Sequence, residues 1–112
     1  MIIYIAGPMT GKPGFNRDAF AAAAKLLREA GHTPLNPAWL PTTLPDNKYM
    51  PICTAMIDAA DAIYMLNGWQ ASLGARCERL YAKRQGKIEL LEKDVEFKAR
   101  KLREEEANDN DQ

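Results

Sequence analysis

The sequence predicts an α/β domain built on a small parallel sheet of about four strands, with helices on both faces. Two observations predict it. Residues 2–6 and 62–66 are short, continuous apolar runs, the pattern of strands buried on both faces. Each run leads through a glycine-containing turn into a helical pattern, so strands and helices alternate along the chain.

Ile2 to Ala6 reads as the first strand and ends in a loop, Gly7 to Gly14, with three glycines and two prolines. Asn16 is placed to cap a helix that runs to Ala30, with Gly31 just past its end. Phe20, Ala24 and Leu27 recur at helical spacing and give that helix its core face. His32 to Asn36 is expected as a short second strand and Pro37 to Asn47 as a surface loop. Pro51 suits a first helical position, so the next helix is expected from Pro51 to Ala60, with Ile52 and Met56 inward. Asp61 precedes the third strand, Ala62 to Leu66, and Ser72 is placed to cap a helix running to about Arg84. Residues 87–91 are expected as the fourth strand. Three regions follow: an α/β domain over 1–91, a charged helix over 92–106 with Val95, Ala99 and Leu102 as its apolar seam, and a disordered tail over 107–112.

The 112 residues fit one domain, and 15 basic against 15 acidic side chains leave no net charge to draw it to nucleic acid or a membrane surface. No apolar stretch approaches the roughly 18 residues of a membrane span, and the N-terminus has no basic leader. Cys53 and Cys77 stand in no metal spacing and His32 is the only histidine, so no metal or cofactor is expected and both thiols read as reduced, cytoplasmic ones.

The candidate site centres on residues 67–78. A helix capped by Ser72 leaves the N–H groups of Leu73, Gly74 and Ala75 without helical partners, and such a start favours a phosphate. Glu78 stands four residues after Gly74 and three after Ala75, on the same face: either the small residues leave room beside it for a sugar, or it is a solvated helix residue paired with Arg76, Arg79 or Lys83. In a parallel sheet, ligands bind beyond the carboxyl ends of the strands, so the loop from Gly7 and the loop at 68–72 can border one crevice. The Gly7 loop fails both the GxxxxGK[ST] and the GxGxxG patterns. It is either a tight strand-to-helix connection or a backbone that approaches a ligand. Trp69 either stacks on a base or covers the core edge, and His32 reads as structural.

With these residues in place, the chain resembles the nucleoside 2-deoxyribosyltransferase-like superfamily, and most of all a small branch of unassigned function found in bacteriophage and bacterial genomes. The resemblance rests on Ile3-Tyr-Ile-Ala-Gly-Pro-Met-Thr-Gly11, Phe15-Asn16, Leu35-Asn-Pro37, Asp61-Ala-Ile63, and Gly68-Trp-Gln-Ala-Ser-Leu-Gly-Ala-Arg-Cys-Glu78 with Ala82. It implies a flavodoxin-like or Rossmann-like fold. It also implies an enzyme in which a glutamate, matched by Glu78, attacks C1′ of a deoxyribonucleoside to give a glycosyl ester that water or another base resolves. Ser72-Leu-Gly74 is similar to the branch that hydrolyses deoxynucleoside 5′-monophosphates, where the serine helps hold phosphate. Tyr4, Gly7, Pro8, Met9, Gly11 and Asn16 would then flank the base and sugar, and Trp69 would wall the pocket. The enzymes carry an aspartate eight residues before the position of Asp61, and Cys53 stands there instead. Either another acid, such as Asp46 or a partner-subunit residue, protonates the leaving base, or hydrolysis is slow or absent. The expected partners are a nucleotide or nucleoside and further copies of the chain, as a homodimer or higher homo-oligomer. The alternative to an enzyme is an inactive nucleotide-binding module.

Overall fold

A computed structural model describes residues 1–95. The expected helix beyond residue 95 and the tail lie outside them. The element order is β1 (Ile2–Ala6), α1 (Arg17–Glu29), β2 (Thr33–Leu35), α2 (Asp46–Ala59), β3 (Ala62–Met65), α3 (Leu73–Arg84) and β4 (Ile88–Leu91), with short 3₁₀ turns at Pro13–Asn16, Pro37–Trp39 and Trp69–Ala71. The four strands form one parallel sheet in the order β2-β1-β3-β4, a flavodoxin-like arrangement. Among these residues no helix is long and apolar enough to cross a membrane.

Side-chain parity along the central strands decides what each layer receives, because successive residues point to opposite faces. Ile3, Ile5, Ala62 and Tyr64 pack with Phe20, Ala23, Ala24 and Leu27 of α1. Tyr4, Ala6, Ile63 and Met65 pack with Cys53, Ile57 and Ala60 from the α2 side and Ala75 and Ala82 of α3. Tyr4 thus points into the same layer as the helix that carries Glu78. Strand order reverses between β1 and β3, so the loops leaving their carboxyl ends diverge there and open a crevice.

Several local expectations are corrected. The second helix begins at Asp46, not Pro51, after Pro45 at its N-cap position. Pro51 sits inside the helix and removes the bond that position would make to the Asn47 carbonyl. The buried stripe is Cys53, Ile57 and Ala60, while Ile52 is 36% exposed and Met56 only partly buried. Two apolar stripes one residue apart run along this segment, and the sheet takes the one that continues Tyr49. The expected surface loop at 37–47 therefore contains a 3₁₀ turn, capped by buried Asn36, and the start of α2. Asn16 does stand at the N-cap position of α1, but in the left-handed region (φ 61°) and without a side-chain cap bond. Its Nδ2 instead donates to the Pro8 carbonyl at 2.9 Å, tying the end of the glycine-rich loop to its beginning. His32 is structural, its Nδ1 2.9 Å from the N-terminal amine.

Candidate functional site

A buried polar cluster lies beneath the crevice. Tyr4 is fully buried, and its hydroxyl faces the Glu78 carboxylate and the Cys53 thiol closely enough to alter how they titrate. Among the described residues neither the Tyr4 hydroxyl nor Glu78 Oε2 makes a hydrogen bond of standard geometry, although both atoms are buried and the two groups face each other. A buried polar atom left unsatisfied costs on the order of 1–3 kcal/mol, and such atoms ask for a functional reason. Burial raises the Glu78 pKa to about 7, and the neighbouring Tyr4 hydroxyl partly offsets that rise. Tyr4 and Tyr49 are both held well above the ordinary tyrosine value, chiefly by burial, and stay protonated. The Cys53 thiol is likewise pushed up by burial, although the two tyrosine hydroxyls oppose this. The cluster thus holds one group, Glu78, that changes charge near neutral pH.

Above the cluster, α3 begins as its sequence predicts. Ser72 Oγ accepts from the Ala75 N–H at 3.2 Å. That corrects one expectation: the Ala75 N–H is taken by the cap, leaving the Leu73 and Gly74 N–H groups without partners among the described residues. The serine hydroxyl can still donate while its oxygen accepts. A Cβ added at Gly74 would meet nothing within 4 Å, so the helix start is open beside it.

A cleft of about 140 Å³ lies at the carboxyl ends of β1 and β2, walled by Met9 and Phe15 on one side and by residues 37–44 on the other. Asp46 and Tyr49 close it from α2, and Arg17 lines it from α1. Tyr49 bridges the cleft and the cluster, because its hydroxyl donates to Met9 Sδ at 3.2 Å while Cys53 lies one turn deeper. Phe15 is half exposed and left-handed (φ 55°), as is the following Asn16. Such strain in non-glycine residues costs about 1–3 kcal/mol each and gathers at ligand sites. Phe15, Arg17 and Tyr49 were not legible as site residues. The Phe15 backbone has no sequence signature, and Tyr49 enters only because α2 starts early.

The remaining candidates serve different contacts. Gly7 brings the two loops together, since a Cβ there would stand 2.7 Å from Leu66 Cβ. Gly68 (φ 87°) lies against Pro8, where its missing Cβ would be 3.6 Å from the proline ring. Gly11 (φ 81°) shapes a turn and meets nothing. Trp69 lines a separate cavity with Asn67, Gln70 and Lys93, and the Arg79 guanidinium lies 4.8 Å from its ring centroid.

These features define a flavodoxin-like α/β domain with a partly buried acid under its topological switch point and a cleft beside it. The chain belongs to the family described as a domain of unknown function (DUF4406), whose model matches residues 1–90. No curated protein matches it.

Proposed function

We propose that this domain binds a deoxynucleotide and cleaves or transfers its N-glycosidic bond, placing it in the nucleoside deoxyribosyltransferase-like superfamily. The observation that carries the reading is the Glu78 carboxylate. Its Oε2 is buried, faces the Tyr4 hydroxyl and has no hydrogen bond of standard geometry among the described residues, and its pKa is near neutrality. In this reading the sugar sits in the crevice with C1′ turned toward the Glu78 carboxylate. The carboxylate attacks C1′, the C1′–N bond breaks, and the base departs with the bonding pair and takes up a proton. Water or a second base then attacks C1′ and releases the carboxylate. The free N–H groups of Leu73 and Gly74, with the Ser72 hydroxyl, suit a 5′-phosphate. The cleft beside Phe15 suits the base, and Asp46 on its wall is the carboxyl group available to protonate it.

Base release from each deoxynucleoside 5′-monophosphate, followed by chromatography, tests this reading. Release that disappears in Glu78→Ala supports it. Binding by calorimetry with no base freed from any substrate would favour the second reading, an inactive nucleotide-binding module. One observation favours that module: the Cys53 thiol, where the enzymes carry an aspartate, stays protonated and is a poor partner for proton transfer.

The phosphate seat has its own test. Ser72→Asp keeps an N-cap but sets a carboxylate where the phosphate would lie. Monophosphates should bind the wild-type chain more tightly than nucleosides, by about tenfold or more, and Ser72→Asp should abolish that preference. Equal affinity for both ligands in the wild-type chain would rule the seat out.

Self-association is part of the same proposal. Leu73 and Leu80 are 70% and 54% exposed and lie two turns apart on α3, with Cys77 exposed between them. An apolar stripe of this kind suits a second copy of the chain. Light scattering should give a dimer or larger species that Leu80→Glu dissociates, and a monomer at every concentration would remove this part.

A further inference from the structure

A second cavity lies on the other side of α3, between that helix and β4 at the sheet edge. It holds about 230 Å³, is floored by Ile63, and is walled by Arg79, Lys83, Lys87 and Glu89. Its walls thus carry three cationic side chains and one carboxylate. Glu89 is committed to Arg79, which meets it through both Nε and Nη2. Lys87 Nζ donates to a neutral acceptor, the Asp58 carbonyl, at 3.0 Å, while the Asp58 carboxylate takes the Tyr81 hydroxyl. Lys83 has no partner among the described residues. A cation in the last turn of α3 complements the helix dipole, but that role does not call for a second ammonium on the facing wall. Two ammonium groups on one concave, partly apolar surface repel each other, and a small anion carrying more than one charge relieves them.

We propose that this cavity binds a small phosphorylated polyanion between Lys83 and Lys87. Arg79 couples it to the candidate site, because the guanidinium that pairs with Glu89 also lies over Trp69, in the turn that leads into the Ser72 cap. An anion in the cavity competes with Glu89 for Arg79 and changes the environment of the Trp69 ring. The inference is independent of any glycosidic chemistry.

The probe is inorganic pyrophosphate at low ionic strength, read by Trp69 emission in the full chain carrying Trp39→Phe, with calorimetry on the unsubstituted chain as a check. Trp39 is 61% exposed, so its replacement leaves the core intact. A saturable change is expected. It should weaken about tenfold or more in Lys83→Ala/Lys87→Ala and, because a competing carboxylate is gone, tighten by roughly threefold in Glu89→Gln. In Ser72→Asp, saturable binding that depends on Lys83 and Lys87 should persist. Three results would overturn the proposal: no saturable binding by either readout, affinity that survives loss of both lysines, or affinity lost in Ser72→Asp alone, which would put the anion at the start of α3.

Discussion

Glu78→Gln is expected to lower base release by on the order of 10³-fold or more, because the neutral amide cannot attack C1′. The same substitution should make the protein more stable at pH 8. A carboxyl whose pKa rises from 4.5 to about 7 on folding holds its proton more tightly in the folded state. Between these two values the folded chain binds more protons than the unfolded one, so stability falls as pH rises, then levels off above about 7. At about 1.4 kcal/mol per pKa unit, the ionised carboxylate costs the fold on the order of 3 kcal/mol at alkaline pH. Urea melts across pH 4 to 9 should show that decline in the wild-type chain and its absence in Glu78→Gln. Turnover should change in the opposite sense, rising with pH toward a plateau above about 7 as the proposed nucleophile ionises. A wild-type stability curve flat over that range would mean that Glu78 is solvated, and the proposed site would lose its main support.

Gly7→Ala should be the most damaging small substitution. The added methyl would stand 2.7 Å from Leu66 Cβ and 2.8 Å from Leu66 Cδ1, where β1 and β3 hand over to their loops. Leu66 is buried in the α1-side core and cannot swing away freely. Overpacking of this kind costs about 1–3 kcal/mol, or several degrees of melting temperature for a domain of this size. Gly74→Ala is the matched control. Its Cβ meets nothing and the backbone is helical, so it should stabilise the protein by roughly 0.5–1 kcal/mol. Equal melting temperatures for the two variants would show that the loops do not pack as described.

The features legible in the sequence were those set by local pattern. The apolar run at Ile2–Ala6, the alanine-rich face of α1 and the Ser72 cap each carry their own chemistry, and all three stand where that chemistry puts them. The start of α2 was hidden because Pro51 reads as a helix opener, whereas tertiary packing carries the helix through it from Asp46. That error concealed Tyr49, and with it the route from the cleft to Cys53. The direction of Tyr4 was also unreadable, since a strand buried on both faces gives no alternation from which to assign one. The left-handed backbone at Phe15 and the Arg79–Trp69 stack depend on contacts between distant segments, Pro8 with Asn16 and Glu89 with Arg79. Local propensity does not encode them.

The most direct test of a nucleophilic Glu78 is covalent. The full-length protein is mixed with a deoxynucleoside 5′-monophosphate that it turns over, quenched in acid during turnover, and its peptides are weighed. The expected result is deoxyribosyl 5-phosphate mass on the peptide that carries Glu78, absent in Glu78→Gln. Base release that continues at the wild-type rate in Glu78→Gln, with no modified peptide in either protein, would contradict it.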